Sequence, residues 1–403
     1  MEDKVGKWVG DRGLYSVFQP IYSFSNQACV GYEVLIRGIN TEDQVVPVYE
    51  CLQAPSEISR TNYMRMMNQM HLQTWKSFGH QECWLFINID FEDISNINEI
   101  CLQGLLKEMN IKGCQVVIEV VESEIPDEDI FNQVIDAFRS IGCLIALDDF
   151  GAGHSNVDRI WKAQPDIVKL DRNVLLEATK SLRSESILRN LTRLIQQSGS
   201  ICLLEGIETR EQALLAMDVG VDLVQGFYFA RPNPDLSKSK AGQDEIQSIT
   251  SSFKEYMAEK NFLKRIQKRG YEALYETLYP VDDLNEVLVK MEAMASMSFV
   301  KRFFVLDEHG FQISDEPDIK RTVERVNILK KGKGLCWKNR RYFIKAMRNR
   351  SDIFVSQPYR SLIDMDLCLT VSKVIELASG EILVACFDVF YHDKAIETVQ
   401  ISV

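Results

Sequence analysis

The chain has 403 residues, 46% of them hydrophobic, and a formal net charge of −12. That is enough apolar material for two packed domains and too much for bulk disorder. The acidic balance argues against non-specific binding to nucleic acid polymers or an anionic membrane, which needs clustered positive charge; a small anionic ligand stays compatible with it, because metal ions can supply the charge locally.

Ten cysteines include no C-x-x-C pair, and several sit in apolar runs such as CLIAL and ICLLE. They read as reduced core residues, not as a disulfide or zinc framework. The opening MEDKVGKWVGDRG is too polar for a signal peptide, and no apolar run is long enough to span a bilayer. A cytoplasmic protein is expected.

In chain order, short apolar runs recur through the first 235 residues. ACVGYEVLIRG (28–38) carries Glu33 and Arg37, and CWLFINID (83–90) ends at Asn88 and Asp90. QVVIEVVES (115–123) carries Glu119 and Glu122, and CLIALDD (143–149) ends at Asp148 and Asp149. DIVKLDR (166–172) carries Lys169 and Asp171, ICLLEGIE (201–208) carries Glu205 and Glu208, and DLVQGFYF (222–229) carries Gln225. Nearly continuous β-branched runs suit strands buried on both faces. Between them lie segments of helical spacing, NEICLQGLLKEM at 98–109 and DEDIFNQVIDAFRSIG at 127–142. Strand, helix, strand repeats imply right-handed parallel crossovers.

Polar residues fall at or near the C-terminal end of each run. One such residue is a turn residue; a strand-to-helix turn alone would account for the Asp and Gly of IALDDFGAGHSN (145–156). A succession of them needs another reason. In a β/α barrel these ends converge on one face, which carries the site. Converging Glu33, Glu119, Asp148, Asp149, Glu205 and Glu208 would repel without cations, and oxygen ligands of this kind suit divalent metals. Asn88 adds a neutral oxygen. The adjacent Asp148 and Asp149 suit a two-metal site in which one carboxylate bridges.

Across about residues 14–233 the chain resembles the EAL-domain family of cyclic di-GMP phosphodiesterases. FQPIYS, GYEVLIRG, FINID, IEVVES, LDDFGAGHSN, VKLDR, LLEGIET and VQGFYFARP occur in family order. The resemblance implies a TIM-like (β/α)8 barrel with an irregular first strand, hydrolysing one phosphodiester of cyclic di-GMP to linear pGpG with two Mg²⁺ or Mn²⁺ ions. It implies that Glu33, Asn88, Glu119 and Asp148 bind the first metal and that Asp148 and Asp149 reach the second. By the same resemblance Lys169 would orient water or stabilise charge, and Glu205 would be general base or second-metal ligand. Glu208 would join this catalytic group, with Gln225, to position water and metal. Glu122 would brace the loop after the two aspartates, and Asp171 would support Lys169. Arg37 is the candidate phosphate contact. Gln19, Gln225, Leu35, Pro232 and Phe227 are candidates on the substrate side. Departures from the family pattern are Val34 for Ala, Val121 for Thr, Ala152 and His154 for Thr and Tyr, and a poorly matching stretch at 41–75. None removes a proposed metal ligand. The alternative is a cyclic di-GMP receptor without turnover.

The domains expected are 1–235 for the barrel, 236–275 for a linker and connecting helix, and 276–403 for an α+β domain. NPDLSKSKAGQD (233–244) reads as linker. The helix that follows spaces Ile246, Ile249, Phe253, Tyr256 and Leu263 near heptad intervals, with Lys260 breaking the seam. It suits packing on its own domain or a dimer coiled coil. KRFFVLDEHG, LCLTVSKVIEL and GEILVACFDV read as strands. With WKNRRYFIKAM they resemble PAS-like Cache/PDC sensor domains, which implies a sensory or dimerisation module. Trp337, Arg341, Tyr342, Tyr359 and Arg360 are candidate contacts for an unidentified small ligand, the alternative being that they are core and surface residues of a dimerisation domain; a homodimer is expected. No G-G-D-E-F motif occurs.

Overall fold

The structure, a computed structural model, describes residues 6–79, 82–89, 102–121, 128–152, 157–315 and 332–391. It divides into two compact units, Met1–Met257 and Ala258–Val403.

In the first unit, β2 (Arg12–Ser23) and β3 (Ala28–Ile39) form an antiparallel hairpin, after a short β1 (Lys7–Val9). From β3 the sheet continues in parallel through β5 (Trp84–Asn88), β6 (Val116–Val121), β7 (Leu144–Phe150), β8 (Ile167–Leu170), β9 (Ile201–Leu204) and β10 (Leu223–Val224). β10 then pairs antiparallel with β2, closing an eight-stranded barrel. The barrel and the irregular first strand expected from the sequence are both present: β2 runs against each of its neighbours.

Side chains of a strand alternate between faces, so the barrel interior takes every second residue. One inward layer is apolar, with Ile21, Phe86, Val117, Ala146, Ile167, Leu203 and Leu223. Phe86 fills so much of it that a Cβ on Gly31 would lie 2.9 Å from its ring. Outside the strands, α2 (Arg60–Ser77), α3 (Leu102–Met109) and α4 (Glu128–Ser140) bury Trp75, Leu105 and Phe138 against the sheet. α3 and α4 fall where helical spacing predicted them. The poorly matching 41–75 stretch forms β4 (Val45–Val46), α1 (Val48–Leu52) and most of α2, where the buried His71 places Nδ1 2.7 Å from Ser16 Oγ.

The helix α9 (Ser239–Glu276) begins inside the stretch read as linker. Its first turn is fixed by tertiary contacts. Tyr22 donates its hydroxyl to Ser239 O at 2.7 Å, and Tyr32 Oη lies 2.8 Å from Ser239 Oγ. Gly242 packs so close to Tyr22 that a Cβ would meet the hydroxyl at 2.1 Å. Ile246 and Ile249 are fully buried in the barrel's outer core, whereas Leu263 is 41% exposed. Polar composition suggested a linker; shape complementarity made a helix.

The second unit is built on a five-stranded antiparallel sheet in the order β11 (Val300–Asp307), β15 (Ile382–Phe390), β14 (Leu367–Glu376), β12 (Phe354–Val355), with β13 (Tyr359–Arg360) also on β14. The three long strands are those read from the sequence. Alternation sorts their two faces. Leu383, Ala385, Phe387 and Val389 pack with Tyr275 of α9 and with Val287 and Met291 of α10 (Leu284–Ala295). Val384 and Cys386 pack on the other face with Tyr342 and Phe343 of α11 (Arg341–Arg348). All nine described cysteines are free; five are buried as expected, but Cys114 and Cys336 are exposed.

Candidate active site

The residues two positions beyond the apolar layer form the floor of the barrel mouth. They are Glu33, Asn88, Glu119, Asp148, Lys169, Glu205 and Gln225, with Gln19 opposite Glu33 on the reversed strand. The same alternation that buries the core lifts one polar residue from each strand into a common plane.

Lys169, 1% exposed, is the hub. Its Nζ lies 2.5 Å from Glu119 Oε1, 2.8 Å from Glu205 Oε1, 3.1 Å from Asp148 Oδ1 and 3.9 Å from Glu33 Oε1. Burial alone would lower its pKa, but the fields of Asp148, Glu119, Glu205 and Glu33 outweigh that and hold it well above its ordinary value. Burial raises Glu119 far above the carboxylate range despite Lys169, and raises Glu205 to about 8, with Asp148 and Glu33 adding to both. One ammonium does not neutralise this cluster.

Asp149 is brought in by a break in the alternation. As the next residue after Asp148 it should point away from the mouth. The β7–β8 register shifts between Leu147 and Phe150, and Asp149 takes a left-handed φ of 55°. Its carboxylate oxygen then lies within 4.8 Å of those of Asp148 and Glu205. Burial and the charges of Asp148 and Asp171 raise its pKa. Gly151, at φ 103°, lies so close to Val174 that a Cβ would strike it at 2.2 Å.

The donor set fits hard divalent cations. Glu119 Oε2 and Gln225 Oε1 are buried acceptors without a hydrogen-bond partner among the described residues. The surplus at this site is of oxygen acceptors and negative charge, which a cation satisfies.

Residues 8–232 match the family described as EAL domain, more than half of the chain. The chain belongs to the EAL-domain family. The Bacillus subtilis (strain 168) protein YkuI, described as an uncharacterized EAL-domain containing protein, is 27% identical over 378 residues, covering 88% of this chain and 90% of YkuI. The crystal structure of YkuI in complex with substrate c-di-GMP and calcium superposes with a TM-score of 0.77 over 94% of this chain and 96% of that one. At 21% identity this is a likeness of fold. The cyclic di-GMP phosphodiesterase RocR of Pseudomonas aeruginosa is 32% identical over 137 residues, 33% of this chain and 34% of RocR. The manganese/cy-diGMP complex of Klebsiella pneumoniae BlrP1 at pH 9.0 has a TM-score of 0.50 at 26% identity, covering 56% of this chain and 58% of that one. This EAL chain thus spans nearly all of YkuI but about a third of RocR.

The remaining expected residues of this EAL chain fall into four groups. Asn88 donates to Glu33 Oε1 at 3.3 Å and Gln225 donates to Glu33 Oε2 at 2.7 Å, so both hold the β3 glutamate in place. Glu208 is not in the cluster: it lies on the rim, 38% exposed, with Oε2 3.1 Å from Arg172 Nη2. Asp171 caps α6 (Arg172–Ala178) through the Asn173 N–H at 2.9 Å and acts on Asp149 through its charge. Leu35 and Arg37 follow Glu33 on the same face of β3, where Arg37 donates to its neighbour Ile36 O. Pro232 is half-buried and Phe227 is 45% exposed. Glu122 and His154 lie outside the described residues. Arg231, which the sequence reading did not single out, places its guanidinium 4.2 Å from the Phe227 ring centroid.

Proposed function

We propose that this chain is a metal-dependent phosphodiesterase that opens cyclic di-GMP to linear pGpG. What carries the reading is a buried lysine facing four carboxylates on the barrel floor, with a fifth swung in beside them. Glu33, Asn88, Glu119 and Asp148 would hold one Mg²⁺ or Mn²⁺ ion, and Asp148 with Asp149 a second. Such a pair, when bound, polarises phosphodiester oxygens and makes water more acidic.

The chain's own groups do the rest. Lys169 keeps Glu119, Asp148 and Glu205 in place and offers a fixed positive charge to the phosphate oxygens. Glu205, a fifth exposed, would take a proton from the attacking water as the water oxygen bonds to phosphorus and one P–O bond breaks, or would serve as a ligand of the second ion. Gln225 and Asn88 steady Glu33. Arg37 would meet a phosphate, with Gln19, Leu35, Pro232 and the Phe227–Arg231 stack around the substrate. We assign residues 1–235 to catalysis and 276–403 to a PAS-like regulatory or dimerisation module, joined by 236–275. Among the described residues no helix is long and apolar enough to cross a membrane, and we place the enzyme in the cytoplasm.

The test is cyclic di-GMP turnover by the full chain with Mg²⁺ or Mn²⁺ and with EDTA, following pGpG by chromatography. Metal-dependent product, lost in Glu33→Ala, is expected. Saturable binding of cyclic di-GMP without product would make the chain a receptor.

A further inference from the structure

Two thiols meet at the far end of the strands that carry Glu33 and Asn88 to the mouth. Cys29 is the second residue of β3, and Cys83 immediately precedes β5.

A break in the alternation brings them together. On β3, Tyr32 faces the outer core, while Gly31 lies against Phe86 in the barrel interior. Strict alternation would turn Val30 outward and Cys29 inward. The β2–β3 register shifts here: Ile21 pairs with Gly31 and Tyr22 with Cys29, leaving Val30 as the extra residue of a bulge. Val30 packs with the interior layer, and Cys29 turns out to the cluster of Tyr32 and Trp75. On β5, Trp84 pairs with Gly31 and packs inward, so Cys83 before it falls on the outer face, in the same cluster as Cys29. The bulge also shortens the path along β3 and draws Cys29 level with Cys83.

The side chains are in contact. Cys83 Sγ lies 3.8 Å from Cys29 O, Cys29 Sγ lies 3.3 Å from Gly31 O, and the two thiols hydrogen-bond each other. Neighbouring strands lie about 4.8 Å apart, inside the span of about 4.4–6.8 Å between the Cα atoms of a disulfide. Both residues are half-buried, within reach of a small oxidant. They are also unequal. The hydrogen bond from Cys29 holds the Cys83 thiol below its ordinary value, against burial and the charge of Glu82, and the same bond and burial raise Cys29. Burial pushes the Cys143, Cys202 and Cys368 thiols up to about 12, so those stay protonated.

We propose that Cys29 and Cys83 form a reversible oxidation site, which hydrogen peroxide closes to a disulfide between β3 and β5. Cys83 Sγ, as thiolate, bonds to one peroxide oxygen; the O–O bond breaks, and the other oxygen leaves as hydroxide and takes up the proton Cys83 released. Cys29 Sγ then bonds to Cys83 Sγ; the S–O bond of the sulfenic acid breaks, and its hydroxide leaves with the Cys29 proton as water. Two thiols are oxidised by two electrons and one peroxide is reduced to two waters; a small dithiol reverses the bond by exchange. The pair is built into the contact that starts α9. The Tyr32 hydroxyl hydrogen-bonds the Cys29 thiol and lies 2.8 Å from Ser239 Oγ, and Tyr22, the β2 partner of Cys29, donates to Ser239 O. The site stands whether or not the barrel turns over cyclic di-GMP.

The test treats the reduced full chain with hydrogen peroxide under native conditions, removes the peroxide with catalase, alkylates the remaining thiols and maps the peptides by mass. A linked Cys29–Cys83 peptide is expected, with both thiols recovered after dithiothreitol. In Cys29→Ser no link should form, and Cys83 should stop at a sulfenic acid that dimedone traps. The parent's map needs no variant, so a variant that fails to fold leaves the test intact. Cys29 and Cys83 still free once the exposed Cys114 and Cys336 are oxidised, Cys83 carried to sulfinic acid in the parent without a link, or a link that forms as fast in the urea-unfolded chain each overturns the assignment.

Discussion

Replacing Lys169 with Met keeps the length and bulk of the side chain and removes only its charge. Four carboxylates then lose their counter-charge, Glu119 at 0% exposure most severely. Removing one partner of a buried ion pair costs roughly 3–5 kcal/mol. Glu33, Asp148 and Glu205 are 12%, 11% and 21% exposed, so water softens their share and Glu119 sets the scale. Urea unfolding in EDTA should therefore place K169M about 3–5 kcal/mol below the parent. Divalent cations compete with Lys169 for the same oxygens, so calcium should restore K169M more than it stabilises the parent. Saturating at a hundred times Kd gives about 2.7 kcal/mol. Turnover should still fall about 10²–10³-fold, as the fixed charge is gone. Equal stability of parent and variant in EDTA, or equal calcium effects on both, would refute the reasoning that Lys169 stands in the place of a cation.

Other consequences are equally measurable. Burial depresses His71 from 6.5 to about 4, so its neutral form stabilises the fold above pH 6.5 and that stability is lost as pH falls toward 4. The loss amounts to about 3 kcal/mol; His71→Gln should flatten the acid limb of stability against pH by that amount, and parallel curves would contradict it. Gly31→Ala should cost about 1–3 kcal/mol in urea melts through the contact with Phe86. Tyr275 donates to Val371 O at 2.7 Å and reaches Ala385 O at 3.2 Å, so Tyr275→Phe should cost about 1–3 kcal/mol by leaving buried carbonyls unmet.

What the sequence made legible follows from periodicity. A period of two along apolar runs placed Glu33, Glu119, Lys169 and Glu205 on one face because a strand allows nothing else. The same rule would have sent Asp149 outward. Only the register shift and its left-handed φ bring it in, and neither has a spacing signature. Glu208 lies on a loop, where no period constrains direction, and Arg172 draws it to the rim. α9 begins at Ser239, ahead of the apolar pattern, because Tyr22 and Tyr32 wait on distant strands.

The reversed first strand also sets the order in which a ribosome can deliver a working site. β2 and β3 pair at once, but β2's other edge waits for Leu223 and Val224. Glu33, Glu119 and Asp148 all leave the tunnel before Lys169, and the Gln225 amide that steadies Glu33 comes 192 residues after it. Until then the nascent chain carries an open sheet with unpaired edges, the state in which chains most readily go astray. The last short strand and the helix that clasps Tyr22 are the closing stitch, so truncations ahead of residue 249 should be rich in half-made barrels rather than in small active domains.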